Sequence, residues 1–374
     1  MNFDLSEEQQ LVSDSIERFV QENYNLDSRI AIVKKSPGYS EEYWKTMSEL
    51  GWLGLPFSED DGGFGGDQID TMVLMEQFGK GLVLEPYLAS IILGGGAIKR
   101  AGNDEQRQAW LEGVIDGSKQ LALAYAEPES GDEPHNVALA GNKTGDGYTL
   151  TGTKCMVLHG GTATAFVVSF RTSGGTVDQS GITLALIPAD RKGLSIQAFP
   201  TVDGLQSSEL TFDKVAVTAA DIIGDVDGGF ETLNATINDG ILAVAAEAVG
   251  AMEVLYKDTV AYTQDREQFD HPLSDFQVLQ HRMVEMFMEY EQCKSLLFRA
   301  TMEVASNGED AQRCVHALKH LIGKASFFVG ENAVQTHGGM GVTEELRVGH
   351  YFKRLLVIEA QFGNTDYHLD QFAA

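Results

Sequence analysis

The chain changes its hydrophobic period twice, and this constrains its fold more than any other feature. From Leu5 to about residue 118, apolar residues recur at spacings of three and four, as in Leu11, Ile16, Phe19 and Val20. Ser6, followed by Glu7 and Glu8, is placed to act as an N-cap with acids in the first helical turn. A glycine-rich stretch at 56–66 breaks this helical region, and helices are expected to resume over 72–78, 88–99 and 106–111. Near Gln120 the pattern shortens to runs at 165–170, 182–187, 194–199 and 209–212, which are β-branched or aromatic and bounded by Gly, Asp or Pro. Strands that follow one another without intervening helices favour an antiparallel barrel or sandwich over a parallel sheet. From Gly228 the helical period returns. Between Phe276 and Val304 it forms one stripe through Met283, Met286, Tyr290, Cys293 and Leu297, which predicts a long bundle helix with its stripe in the core. The expected fold is therefore α+β and multidomain: an N-terminal helical domain over 1–118, a central antiparallel β domain over 119–225 and a C-terminal four-helix-bundle domain over 226–374.

Composition narrows the partners. The 374 residues suffice for two or three domains with a large core, and 55 acids against 27 bases give a formal net charge of −28. Such a surface repels phosphate backbones and anionic lipid, so no nucleic-acid partner is expected. No apolar run approaches the ~20 residues that span a bilayer, so no membrane insertion is expected. The opening run MNFDLSEEQQ carries acids where a targeting peptide carries bases, so the expected location is cytoplasmic. Cys155, Cys293 and Cys314 form no CxxC pair and are expected as reduced structural thiols. His316 and His320 stand at i and i+4 but lack a third ligand. They are expected on the surface, and no metal site is expected. There is no Walker loop, GxSxG, HExxH or EF-hand, and no GxGxxG follows a strand.

Three local sequences, in this order, carry a resemblance. AYAEPESGD at 124–132 resembles the A-x-T-E-P-x-A-G-S-D loop of the acyl-CoA dehydrogenases, REQFDHPLSDFQ at 266–277 their R-x-x-F-G-x-P-I…F-Q, and QTHGGMG at 335–341 their Q-x-x-G-G-x-G. WLGLP at 52–56 with Gly62 and Gly63 is also similar to the family. The resemblance implies that family's three-domain fold, FAD as cofactor, an acyl-CoA substrate, and a homo- or hetero-tetramer with a related acyl-CoA dehydrogenase subunit. It also implies a carry-over of cofactor-binding positions to Ala126, Leu158, Arg266, Gln268, Phe269, Leu273, Phe276, Gln277, Gln335, Gly338, Gly339 and Thr365. The residue types suit FAD. Arg266 offers a planar cationic fork for a diphosphate, Phe269 an apolar face, and Gly338 and Gly339 a backbone that can come close to a ribose or phosphate. A salt bridge is the other role open to Arg266. Ala126 stands where the family usually has Thr, Met156-Val157-Leu158 where it has W-x-T or W-x-S, and Asp132 where it commonly has Ser.

The family's reaction removes an α proton from the thioester with a carboxylate raised in pKa by burial, while FAD accepts a hydride from the β carbon. Where the family places that Glu near the C terminus this chain has Gly363, and at the second position the family uses it has Gly240. Glu247 is the one charge in the small apolar run 243–250 and lies two helical turns beyond Gly240, on nearly the same face. A branch of the family that forms α2β2 heterotetramers carries a similar A-A-E-x-x-G sequence, and the resemblance makes Glu247 the candidate base. A buried structural Glu paired with an Arg, Lys or His from another helix is the competing role. Gly240 and Gly363 together suggest room for a large acyl chain.

The expected activity is dehydrogenation of an acyl-CoA to a trans-2-enoyl-CoA, with electrons passed to an electron-transfer flavoprotein. Two alternatives stay open: a non-catalytic subunit that completes the FAD site of a partner, and flavin-dependent monooxygenation or nitroalkane oxidation on the same fold.

Overall fold

The computed structural model describes residues 5–374. Helices and strands follow in the order helix, sheet, helix. The helices are α1 (Glu7–Asn23), α2 (Leu26–Val33), α3 (Glu41–Glu49), α4 (Gln68–Gly81), α5 (Gly96–Ala101), α6 (Asp104–Ile115), α7 (Gly229–Asp265), α8 (Gln277–Ala305), α9 (Ala311–His337), α10 (Arg347–Ala360) and α11 (Thr365–Ala373). The strands are β1 (Leu121–Ala124), β2 (Ala140–Thr144), β3 (Gly147–Leu158), β4 (Ala165–Arg171), β5 (Ile182–Pro188), β6 (Leu194–Pro200), β7 (Gln206–Val217) and β8 (Ile222–Ile223), with a hairpin of β9 (Glu267–Gln268) and β10 (His271–Pro272) after α7. Local chemistry sets several of these boundaries. Ser6 accepts from Gln9 N–H while the Gln9 side chain accepts from Ser6 N–H, the reciprocal cap expected from the sequence. The stretch 88–99 opens instead with a wide π-helical segment, Leu88–Gly95. There Gly94 lies so close to Leu121 that a Cβ would fall 2.4 Å from it, and Ser90 Oγ accepts from Leu121 N–H.

Compactness divides the chain into two units. One gathers the chain up to Ala31, Asp67–Val83 and Ile241–Ala374; the other holds Ile32–Gly66 and Leu84–Gly240. The first is helical apart from the β9–β10 hairpin. In it α4 meets α7 backbone to backbone: a Cβ on Gly79 would fall 2.0 Å from Glu247 O, and one on Gly250 2.0 Å from Glu76 O. The stripe of α8 is buried at Met286, Tyr290, Cys293, Leu297 and Ala300 and half-buried at its ends. The second unit carries an eight-stranded sheet in the order β6-β7-β3-β2-β4-β5-β8, with β1 paired to β4. Most pairings are antiparallel, but β1 runs parallel to β4, as does the single β2–β4 bridge, so the sheet is mixed where an antiparallel one was expected. The chain leaves β1 through the long 125–139 segment and the β2–β3 hairpin before β4, which lets two close strands share a direction. Phe166, Val168, Phe170, Leu210, Phe212 and Val215 lie in one core.

Candidate functional site

In the helical unit, the last turns of α7 and α9 end side by side. Tyr262 stacks on His337 with ring centroids 4.2 Å apart, and His337 Nδ1–H donates to Ala333 O at 2.8 Å. Thr263 Oγ1 lies 3.2 Å from Met283 Sδ, which ties α8 to the same end. Just beyond, Arg266 leads into the hairpin, whose pairs are His271 with Gln268 and Pro272 with Glu267. Its two turn residues, Phe269 and Asp270, both have positive φ, 57° and 65°. Such turns usually carry Asn-Gly, and an aromatic in the left-handed region is strained by about 1 kcal/mol or more. In this turn Phe269 stands out at 85 % exposure, edge-on to Phe276 at 6.3 Å. Leu273 N–H donates to Arg266 O at 2.8 Å and closes the hairpin. Arg266 is itself exposed, and its guanidinium pairs with no carboxylate among the described residues.

The facing edge is the turn after α9. Gln335 is exposed, Gly338 takes φ 63°, and no atom lies within 4 Å of where a Cβ would stand on Gly338 or Gly339. Gln268, Leu273, Phe276 and Gln277 share the same end of the unit, on the hairpin and the start of α8. Thr365 does not. Its Oγ1 lies against Gly323 on α9, fourteen residues before His337 and so about 20 Å along the helix. Its N–H and Oγ1–H both donate to Glu359 Oε1, at 2.9 and 2.8 Å.

In the sheet unit, Ala126 lies against β3, the strand that ends at Leu158: Cys155 N–H donates to Ala126 O at 2.9 Å. Behind this contact lies an ion knot that the sequence reading missed. Lys154, fully buried, donates to Tyr125 O (2.9 Å), Glu127 Oε1 (2.7 Å) and Ser169 Oγ (3.1 Å). Glu127 also accepts from the N–H groups of Ala138 and Leu139, so it clamps both limbs of the loop that carries Ala126. Burial pushes the Lys154 pKa down to about 8 against the pull of Glu127. A Lys at an inward position of a strand was the available signal. Met156, in the bulge between Lys154 and Val157, takes φ 51° and is exposed.

Glu247 is buried in α7, but it is not the lone carboxylate that the sequence suggested. Arg354 of α10 grips both its oxygens, Nε to Oε1 at 2.6 Å and Nη2 to Oε2 at 2.7 Å. Its charge is therefore matched inside the chain by a buried bidentate cation rather than left isolated. Gly363 does not open space either. It has φ 102°, and a Cβ there would fall 2.5 Å from Tyr367 Cδ1 and 2.9 Å from His368 Nε2. His316, expected on the surface, is buried against His368. All three cysteines are free thiols, Cys293 and Cys314 buried and Cys155 half-buried. Among the described residues, no cluster of three or more His, Cys, Asp or Glu is placed to hold a metal ion, and no helix is long and apolar enough to cross a membrane.

Comparison with known proteins agrees with the motifs. Profiles of the acyl-CoA dehydrogenase N-terminal, middle and C-terminal domains match residues 6–118, 122–215 and 227–374. The chain belongs to the acyl-CoA dehydrogenase family. It is 28% identical over 374 residues to the short-chain-specific acyl-CoA dehydrogenase of Clostridium acetobutylicum, covering 98% of this chain and 97% of that protein. A chain of the ChsE4–ChsE5 complex from Mycobacterium tuberculosis matches with a TM-score of 0.91 at 25% identity, over 100% of this chain and 98% of that one. The structure of PigA with FAD and proline matches with a TM-score of 0.92 at 25% identity, over 100% and 98%. FAD is the cofactor, and the residues present fit it: beyond the adjoining ends of α7 and α9 stand a guanidinium with no carboxylate partner among the described residues, an exposed aromatic ring and two open glycines.

Proposed function

We propose that this chain is a subunit of an FAD-dependent acyl-CoA dehydrogenase that works beside a related subunit, and that its own part is to hold FAD rather than to supply the base. The observation that carries this reading is the engagement of Glu247 by Arg354 on both oxygens. With Gly at 240 and 363, neither usual carboxylate position is filled. The chemistry FAD would supply when bound is acceptance of a hydride from the β carbon of the thioester and onward transfer of electrons to an electron-transfer flavoprotein, while a carboxylate of the related subunit would take the α proton, giving a trans-2-enoyl-CoA. Arg266, Gln268, Phe269, Leu273, Phe276, Gln277, Gln335, Gly338 and Gly339 would reach across a subunit interface to hold the diphosphate and adenosine part of the neighbouring subunit's FAD. The backbone at Ala126 and Leu158 would meet the ring, in place of the hydroxyls that relatives carry. Thr365, which donates to Glu359 away from this end, would meet a different FAD from the one that Arg266 reaches. A heteromeric arrangement is supported by the similarity to a chain of the ChsE4–ChsE5 complex, and the reaction class by the short-chain-specific relative. The proposed place of action is the cytoplasm, in a tetramer.

A second reading keeps Glu247 as the base, favoured by its burial in the apolar middle of α7. It requires Arg354 to release an oxygen when substrate arrives. Flavin content, oligomer mass and acyl-CoA oxidation of the chain purified alone separate the two. FAD binding with turnover only after a related subunit is added supports the first reading; turnover by the chain alone, lost in Glu247→Gln with FAD retained, supports the second. Absence of flavin under every condition removes both.

A further inference from the structure

The turn Phe362–Gly363 between α10 and α11 is gripped at its carbonyls by buried nitrogen donors. Lys319 Nζ donates to Glu359 O (2.8 Å) and Gly363 O (2.7 Å), His368 Nε2 to Phe362 O (3.0 Å), and His320 Nδ1 to Thr365 O (3.0 Å). Phe362 and Gly363 both have positive φ, 63° and 102°. The turn is thus a strained shape that its surroundings over-determine.

The donors behind it form a line with one consistent set of protons. His368 Nε2 faces a carbonyl and so carries hydrogen, which leaves His368 Nδ1 an acceptor. His316 Nδ1, 2.9 Å away, must then be the donor, and His316 Nε2 accepts from the Gln312 amide at 2.8 Å. A proton added to His368 Nδ1 would require His316 to change tautomer and the Gln312 amide to turn over, so the arrangement as it stands has both imidazoles neutral. The surroundings agree: the Lys319 ammonium of α9 adds positive charge, His320 of α9 lies nearby, and Tyr367 of α11 stands edge-on to both rings. The Glu359 carboxylate of α10 is taken by Thr365. Burial and these neighbours push the His368 pKa down to about 3, and burial pushes His316 down as well.

We propose that Gln312, His316 and His368 are positioning residues, a neutral imidazole relay that holds the Phe362–Gly363 turn in its left-handed shape where the family's base-bearing segment would otherwise stand. The inference rests on the dehydrogenase reading for its consequence in catalysis, but the relay itself is tested without it. Hydrogen exchange of residues 361–366 is measured on the FAD-loaded protein for wild type, His368→Gln and His368→Leu. Gln keeps a donor for Phe362 O, whereas Leu keeps only volume. The expected result is exchange about tenfold faster in His368→Leu, near wild type in His368→Gln, and unchanged in α1. Equal exchange in Leu, Gln and wild type overturns the relay, as does equal acceleration by both. Gln312→Leu at the outer end is measured alongside, with about threefold faster exchange expected; exchange equal to wild type there overturns the relay beyond His368, and the same variant serves if His368→Leu fails to fold. In acyl-CoA oxidation with the related subunit present, His368→Leu is expected to raise KM about fivefold with kcat within about twofold, and His368→Gln to restore it. A wild-type complex with no such activity refutes the dehydrogenase reading alone, since the exchange result stands apart from it.

Discussion

Two charged positions with similar sequence credentials came to opposite ends in the structure. Glu247 and Arg266 both sit in α7 or immediately after it, and both match motif positions of the family. Glu247 is buried with each oxygen on Arg354, beside the glycine crossing of α4 and α7. Arg266 is exposed with no carboxylate partner among the described residues, beside a strained turn that pushes an aromatic ring into solvent. A charge satisfied inside the chain serves the chain, and breaking its pair costs stability. A charge left open beside open glycines would be free to meet a group the chain does not itself supply.

The largest test of this contrast is Glu247→Gln. If the pair is structural, losing one partner leaves Arg354 buried without its counter-charge, and stability should fall by about 3–5 kcal/mol in urea unfolding, with Glu247→Leu/Arg354→Met recovering most of it. An unchanged midpoint with lost turnover would move Glu247 to the side of Arg266. Next comes Gly363→Glu, which tests whether the missing base could be restored. Positive φ and the close approach of Tyr367 predict a loss of about 3 kcal/mol and no gain of activity, measured by thermal unfolding and steady-state oxidation. Arg266→Ala should act the other way round. FAD affinity should weaken by about 1.5–3 kcal/mol in flavin titration, while the apo-protein's stability moves by less than about 0.5 kcal/mol.

Acid should sharpen the contrast further. His368 has its folded pKa pushed to about 3 from an ordinary 6.5. The unfolded chain therefore binds the extra proton between those values. Stability from this group is complete above about pH 6.5 and falls by about 1.4 kcal/mol per pH unit as pH drops toward 3. His368→Gln should flatten that slope in a series of urea midpoints. The smallest effect belongs to Phe269→Ser, which should leave stability within about 0.5 kcal/mol because the ring is solvent-exposed, yet still weaken FAD retention.

The linear sequence by itself determined the order of helix, sheet and helix, since the apolar period follows from which face each residue must bury. It also marked the segments 266–277 and 335–341 that carry the hairpin after α7 and the glycine turn after α9, because those motifs are short and local. Only the tertiary structure decided what the buried polar groups do. Arg354 lies 107 residues from Glu247 and His368 lies 52 from His316, and no period or spacing links such pairs. The parallel β1–β4 pairing and the Lys154–Glu127 knot were hidden for the same reason. A carboxylate's basicity depends on what stands within a few ångströms of it, and that is set by how distant segments pack together.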